Sequence, residues 1–401
     1  MNKLPRYYEF FNHTKIISGY KALENIPYEL ELLRSFRPMI ITDKGVKKAG
    51  LVNTVINACG DSDLVFPVVF DNVPQDSSTK VVSQAAKLYR EKRCDSIIAI
   101  GGGSVIDTAK GTNILVSYNS DDLRKFMGAD IIKRPLNPFI AIPTTAGTGS
   151  EVTIAAVIRD EEKGIKMPFT SKYLLPNVAV LDPRMTITLP PHISAATAMD
   201  ALTHAIESYI CLQKNPLSDA YATAAIRLIS NYILKVIEKK PSKEARLAMA
   251  NAATMAGIAF SNSMVGMVHS LGHALGGVAR IPHGVAMNIF LPWGLKENFS
   301  VRKEIIGELL LPFSGAEKYS NTPPEKRATE FIREIRKLQD ILYEKVKMPR
   351  TLQEADVDKE LLPDIAKNAI NDGSLIVNPI DLDYEDALRI LKQAYFNSVE
   401  I

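Results

Sequence analysis

Four residues in the second half of the chain have the types and spacing to hold one divalent cation: Asp200, His204, His269 and His283. Asp200 and His204 lie in SAATAMDALTHAIESYI, an apolar run without Pro or Gly that reads as helix. A separation of four places both side chains on one helical face, one turn apart. His269 follows in NSMVGMVHSLGHALGG and His283 in ARIPHGVAM, fourteen residues further on. One carboxylate with three imidazoles suits Fe(II) or Zn(II); Mg(II) and Ca(II) prefer all-oxygen surroundings. The chain has only six histidines, so half of them fall in this set. A fourth, His273, stands one helical turn beyond His269. A lone buried histidine is more often a hydrogen-bonded core residue than a ligand, but four residues that fit one cation reverse that weighting. His13 and His192 lack such partners, and His192, after Pro190-Pro191, reads as a helix start or surface residue. Phe260, on the helix before the His269 segment, reads either as core or as pocket lining.

Two loops in the first half have a different chemistry. IGGGSVIDTAK follows an apolar run and leads into a helical pattern. Glycines there let a backbone approach a pyrophosphate, and the helix start offers free N–H groups; a tight strand-to-helix turn explains the segment equally well. The GxGxxG fingerprint is absent, and no acidic ribose ligand is placed in the usual position after the glycines. The acidic candidate instead precedes them: Asp43, at the end of RPMIITD. A carboxylate there accepts from a ribose 2′-OH and repels a 2′-phosphate, so if the site binds a dinucleotide, NAD is favoured over NADP. The alternative is that Asp43 caps the turn before Lys44-Gly45. PTTAGTGSE, the second loop, offers hydroxyls from Thr144, Thr145, Thr148 and Ser150. Two polar loops at one end of a parallel sheet point to a ligand crevice.

The elements that must position these groups fall into two halves. RPMIITDKG, LVFPVVFDNV, SIIAIGGGS, NPFIAIPTTAGTGSE and NVAVLDP read as strands, with amphipathic segments such as SSTKVVSQAAKLYREKR between them. Apolar strands alternating with helices predict a mainly parallel sheet covered on both faces. Past Leu189-Pro190-Pro191 the patterns turn helical, as in SDAYATAAIRLISNYILKVIE and EARLAMANAATMAGIAFSNS. The reading is an α/β domain over residues 1–185 and an all-helical domain over 186–401. With 46% apolar and 23% charged residues and a net charge of +3, the chain gives no argument for nucleic acid or a membrane surface. Three scattered cysteines, Cys59, Cys94 and Cys211, fit reduced, mostly buried thiols in a cytoplasm. The start, MNKLPRYYEFFNHTK, lacks a signal-peptide core, and no apolar stretch reaches membrane-spanning length.

Taken together, the chain resembles the iron-containing, or group III, alcohol dehydrogenases, in the superfamily that includes glycerol dehydrogenase and dehydroquinate synthase. The resemblance covers essentially the whole chain and rests on IGGGSVIDTAK, IPTTAGTGSE, LDPRMTITLPPHISAATAMDALTHAIE and HSLGHALGGVARIPHG. The last two resemble the family's diagnostic signatures. The resemblance implies a dehydroquinate synthase-like fold: an N-terminal α/β nucleotide-binding domain, an all-α C-terminal domain and a deep cleft between them. It assigns the metal to Asp200, His204, His269 and His283, and places His273 near nicotinamide and substrate. It matches Asp43, Gly102, Gly103, Ser104, Asp107, Thr144, Thr145, Thr153 and Lys166 to cofactor-contacting positions. One departure is Pro74-Gln75-Asp76-Ser77-Ser78, where many relatives carry an Asn between two prolines. The implied activity is NAD(H)-linked interconversion of small primary alcohols or diols with aldehydes, using Fe(II) or, as the alternative, Zn(II). A homo-oligomer in the cytoplasm is expected. Two other readings stand beside it. One is a hydroxyacid dehydrogenase or hydroxyacid-oxoacid transhydrogenase, which needs a cation such as Arg280 at the site. The other is a structural descendant, which degraded ligands or filled glycine loops would have signalled.

Overall fold

Runs of β-branched and other apolar residues in the first half become strands buried on both faces. The computed structural model describes residues 5–60 and 62–396. In chain order the strands are β1 (Lys15–Ser18), β2 (Pro38–Thr42), β3 (Val69–Phe70), β4 (Ser96–Gly101) and β5 (Gly128–Ala129). Then follow β6 (Phe139–Pro143), β7 (Ala155–Asp160), β8 (Ile165–Thr170) and β9 (Val178–Leu181). Six of them form one sheet in the order β1-β9-β6-β4-β2-β3, and every pair in it is parallel. β5, β8 and β7 form a separate three-stranded sheet, with β7 and β8 antiparallel.

β2, β4, β6 and β9 are buried at every position, as a sheet with both faces covered requires. Their side chains alternate between two cores. Ile40, Ile98, Ile100, Ile140, Ile142 and Val180 point to one face, where they meet helices α1 (Ile26–Leu32) and α3 (Leu51–Ala58). Between those helices α2 (Lys44–Lys48) follows β2 directly. Met39, Ile41, Ile97, Ala99 and Ala141 point to the other face, under α4 (Thr79–Glu91) and α5 (Gly103–Ser117). LVFPVVFDNV supplies less strand than its apolar run predicts, because only Val69 and Phe70 pair, at the sheet edge. Pro67, just before them, has no N–H to give a ladder.

The second half is helical. It comprises α6 (Pro191–Ile210), α7 (Pro216–Val236), α8 (Lys243–Ser261), α9 (Met267–Ala279) and α10 (His283–Glu297). After these come α11 (Phe299–Glu308), α12 (Leu310–Asn321), α13 (Arg327–Val346), α14 (Leu362–Ala369) and α15 (Tyr384–Phe396). By internal contacts the chain separates into two units: Phe11–Leu189 with Ser242–Thr254, and residues 5–10 with Pro190–Pro241 and 255–396. In the helical unit α6 is buried nearly all round, the pattern of a central helix rather than a surface one. α7 begins with a reciprocal cap, Asn215 and Ser218 each bonding the other's backbone N–H. Among the described residues, no helix is long and apolar enough to cross a membrane.

Candidate functional site

Three helices bring the four proposed ligands together. Asp200 and His204 sit on the inner face of α6, His269 in the first turn of α9, and His283 at the first position of α10. The turn from α9 to α10 is tight: Arg280 takes a left-handed backbone, φ 59°, and Pro282 precedes the new helix. Gly284 then lets α10 press onto α6, because a β-carbon there would lie 2.2 Å from the Ala196 carbonyl oxygen. That close approach sets His283 Nε2 3.2 Å from Asp200 Oδ1. His204 Nδ1 and His269 Nε2 lie 3.8 Å and 3.9 Å from the same oxygen. One ligand atom from each of the four residues fits within 4.8 Å of the others.

Three of these atoms, Asp200 Oδ1, His204 Nδ1 and His269 Nε2, are buried without a hydrogen-bond partner. Each orphaned group of this kind costs about 1–3 kcal/mol, so three converging ones need a common explanation. Burial drives His204 down to about 3, against the pull of Asp200, and drives His269 well below its ordinary value. Burial opposes ionisation of Asp200, but the surrounding His204, His283 and His269 hold its carboxyl below the usual range. Neutral imidazoles beside an ionised carboxylate are the protonation states that metal ligands require. The donor set therefore fits a divalent transition-metal ion.

Two carboxylates that sequence reasoning missed stand behind the histidines. Glu207 Oε2 lies 2.5 Å from His269 Nδ1, and its other oxygen accepts the Val268 N–H at 2.7 Å. Burial pushes this carboxyl up to about 7, while N–H groups at Gly266 and Val268 pull it down. Its signal was in the sequence: Glu207 follows Asp200 by seven and His204 by three, on one helical face. Asp372 Oδ2 lies 2.9 Å from His273 Nδ1. Burial works against that carboxylate, but the His273 hydrogen bond and the Ser374 N–H hold it at about 2. Phe260 stacks on His204, ring centroids 4.2 Å apart, and His269 also stacks on His204, at 4.5 Å. His273 is half-exposed and stacks on His283 at 5.4 Å.

The α/β unit gathers its own polar groups at the carboxyl ends of β2, β4 and β6. Because β2 leads outward to β3 while β4 leads back toward β6, these ends flank the switch point where parallel sheets hold ligands. The two loops touch there. A β-carbon on Gly102 would lie 3.2 Å from Thr145 Oγ1, and one on Gly103 would lie 2.9 Å from Thr148 Cγ2. The Thr144 N–H donates to the Gly101 carbonyl at 3.1 Å. Ser104 Oγ donates to the Gln75 carbonyl, inside the segment that departs from the family pattern. Asp43 caps α2, its Oδ1 accepting the Val46 N–H at 2.8 Å. Three other proposed contacts have these surroundings. Asp107 accepts the Val157 N–H at 3.1 Å. Thr153 is buried and accepts from Lys110 Nζ through both its carbonyl, at 2.8 Å, and its hydroxyl, at 3.1 Å. Lys166 is exposed on β8, paired opposite Arg159.

Comparison with known proteins supports the family resemblance. Residues 13–183 match the family described as iron-containing alcohol dehydrogenase, and residues 194–395 match its C-terminal counterpart. The chain is 32% identical over 392 residues to the NAD-dependent methanol dehydrogenase of Bacillus methanolicus, covering 96% of this chain and 99% of that one. It is 32% identical over 386 residues to the 1,3-propanediol dehydrogenase of Klebsiella pneumoniae, covering 94% and 96%. Among solved structures, the alcohol dehydrogenase from Oenococcus oeni superposes with a TM-score of 0.90 at 32% identity, over 97% of this chain and all of that one. With both halves matched and relatives aligned nearly end to end, the chain belongs to the iron-containing alcohol dehydrogenase family and is an alcohol oxidoreductase.

Proposed function

We propose that this protein uses NAD(H) and one Fe(II) to interconvert a small primary alcohol or diol with its aldehyde. The observation that carries the reading is the convergence of Asp200, His204, His269 and His283, with three ligand atoms buried and partnerless. Both family descriptions name iron, and the methanol and 1,3-propanediol dehydrogenases point to small substrates. When bound, Fe(II) supplies Lewis acidity toward a substrate oxygen and NAD supplies the hydride acceptor.

The protein's own residues do the rest. The four ligands hold the ion in a site where burial keeps His204 and His269 unprotonated. His273 donates Nδ1–H to Asp372, which leaves Nε2 to take the alcohol's proton and pass it to solvent. In the α/β unit the Gly102–Ser104 turn and the Thr144–Thr145 loop cradle phosphate and ribose. Asp43 selects NAD, its Oδ2 remaining for the ribose while Oδ1 caps α2. Asp107, Thr153 and Lys166 complete the proposed cofactor contacts. The same reading includes a cytoplasmic location and a homo-oligomer. A hydroxyacid substrate would need a cation at the site, and Arg280 lies at the exposed turn after α9. None of the relatives named above is a hydroxyacid enzyme, so that reading is not favoured.

Anaerobic protein loaded with Fe(II) should form NADH with primary alcohols or diols and give little with hydroxyacids. His269→Ala and His283→Ala should stay folded, lose most bound iron and turn over little. Full iron occupancy in both variants would overturn the ligand assignment.

A further inference from the structure

Glu207 lies on α6, fully buried, and makes two contacts to the start of α9. Its Oε1 accepts the Val268 N–H at 2.7 Å, and its Oε2 lies 2.5 Å from His269 Nδ1. The direction of the second contact follows the tautomer of His269. The position of the proton in that contact decides which nitrogen of His269 keeps a free lone pair. An ionised carboxylate only accepts, so a proton on Nδ1 leaves Nε2 bare; a proton on Oε2 would make Nδ1 the acceptor and place the ring's N–H at Nε2. Nε2 is the atom that faces Asp200 Oδ1 at 3.9 Å, buried and without a hydrogen-bond partner.

We infer that Glu207 is a positioning residue that holds His269 in the Nδ1-protonated tautomer and so turns Nε2 toward a divalent metal. The inference rests on the reading of His269 as a ligand. A bare Nε2 in that pocket supplies the lone pair that a cation needs, whereas an N–H there would meet no acceptor. The Val268 contact fixes the carboxylate's orientation as well as occupying it. It also satisfies an N–H in the first turn of α9, beside Asn378 Oδ1, which accepts the Met267 N–H at 3.1 Å. Gly266, the residue at the cap position, has no side chain to do either job. One acidic group on α6 therefore aims the histidine and anchors the helix that carries it.

Glu207→Gln separates these roles, because a glutamine has one acceptor oxygen. It can serve either the Val268 N–H or the His269 Nδ1–H, and its amide N–H₂ then opposes the other donor. Anaerobic titration with Fe(II) against a chromophoric chelator should show affinity weakened by roughly 10- to 100-fold. Nitrogen NMR of histidine-labelled protein should show His269 leaving the Nδ1–H tautomer in the variant. Wild-type metal-free protein gives an independent readout should Glu207→Gln fail to fold. Its His269 signal, identified by its loss in His269→Ala, should carry the proton on Nδ1. An Nε2–H tautomer in the wild type, or unchanged Fe(II) affinity in Glu207→Gln, overturns the role of Glu207. Wild type that binds no Fe(II), or His269→Ala that binds it as tightly as wild type, overturns the ligand reading beneath it.

Discussion

His269 and His273 stand one turn apart on α9, yet their ring nitrogens meet different partners. His269 is enclosed and faces Asp200, whereas His273 is half-exposed and held by Asp372. His273→Ala should therefore keep its iron and lose about 10²-fold or more in kcat, the range of general acid–base contributions. Metal content measured beside turnover checks this, and parallel loss of both would make His273 a ligand instead. Asp43 combines two duties, capping α2 and, in the proposed function, excluding a 2′-phosphate. Asp43→Gly should lower KM for NADP and narrow the preference for NAD, while stability drops by only a few tenths of a kcal/mol, since glycine is a fair cap. If wild type uses NADP better than NAD, Asp43 does not play the second part. At this scale the proposed metal cluster was legible because ligand chemistry restricts residue types and α6 imposes a spacing of four. Glu207 was legible on the same face and overlooked. Asp372 was not legible at all: it reaches His273 across 99 residues of chain, and no local pattern encodes that meeting.

At the scale of elements, the β7–β8 hairpin is held by one buried carboxylate. Arg124 donates to both oxygens of Asp160, at 2.7 Å and 3.1 Å, and the N–H groups of Glu162 and Lys163 point to the same side chain. The Arg124 hydrogen bonds lead the effects that hold this carboxyl at about 2 in the folded protein, with burial opposing them. A carboxyl depressed by folding contributes stability above its unfolded value of about 3.9 and loses it as pH falls through the folded one. Wild type should thus exceed Asp160→Asn in stability near neutrality, and the gap should close between about pH 4 and about pH 2. Urea midpoints measured across that window test it; a gap independent of pH would assign the effect to turn geometry. The hairpin itself was absent from the strands read in the sequence, and so was β1. Both alternate or expose their side chains, so neither shows the continuous apolar run that marks a strand buried on both faces. β2, β4, β6 and β9 were found because burial on both faces leaves no polar position to interrupt the run.

For the whole molecule, the division into an α/β unit and a helical unit is mirrored in the cysteines. Cys59 is buried in the α/β unit and Cys94 half-buried there, while Cys211 is buried in the helical unit, its thiol donating to the Ser263 carbonyl at 3.0 Å. Burial pushes all three thiols up to about 11. Alkylation needs the thiolate, so at mildly alkaline pH each should react about 10²-fold more slowly in the native protein than in denaturant. Mass mapping of labelled peptides should find Cys94 modified first, and Cys59 or Cys211 reacting at denatured-state rates in native buffer would contradict the burial described above. The two enclosed thiols thereby act as timers for opening. Followed together as denaturant is raised, they would record how much free energy opens the sheet around Cys59 and how much opens the helices around Cys211, each without an introduced probe.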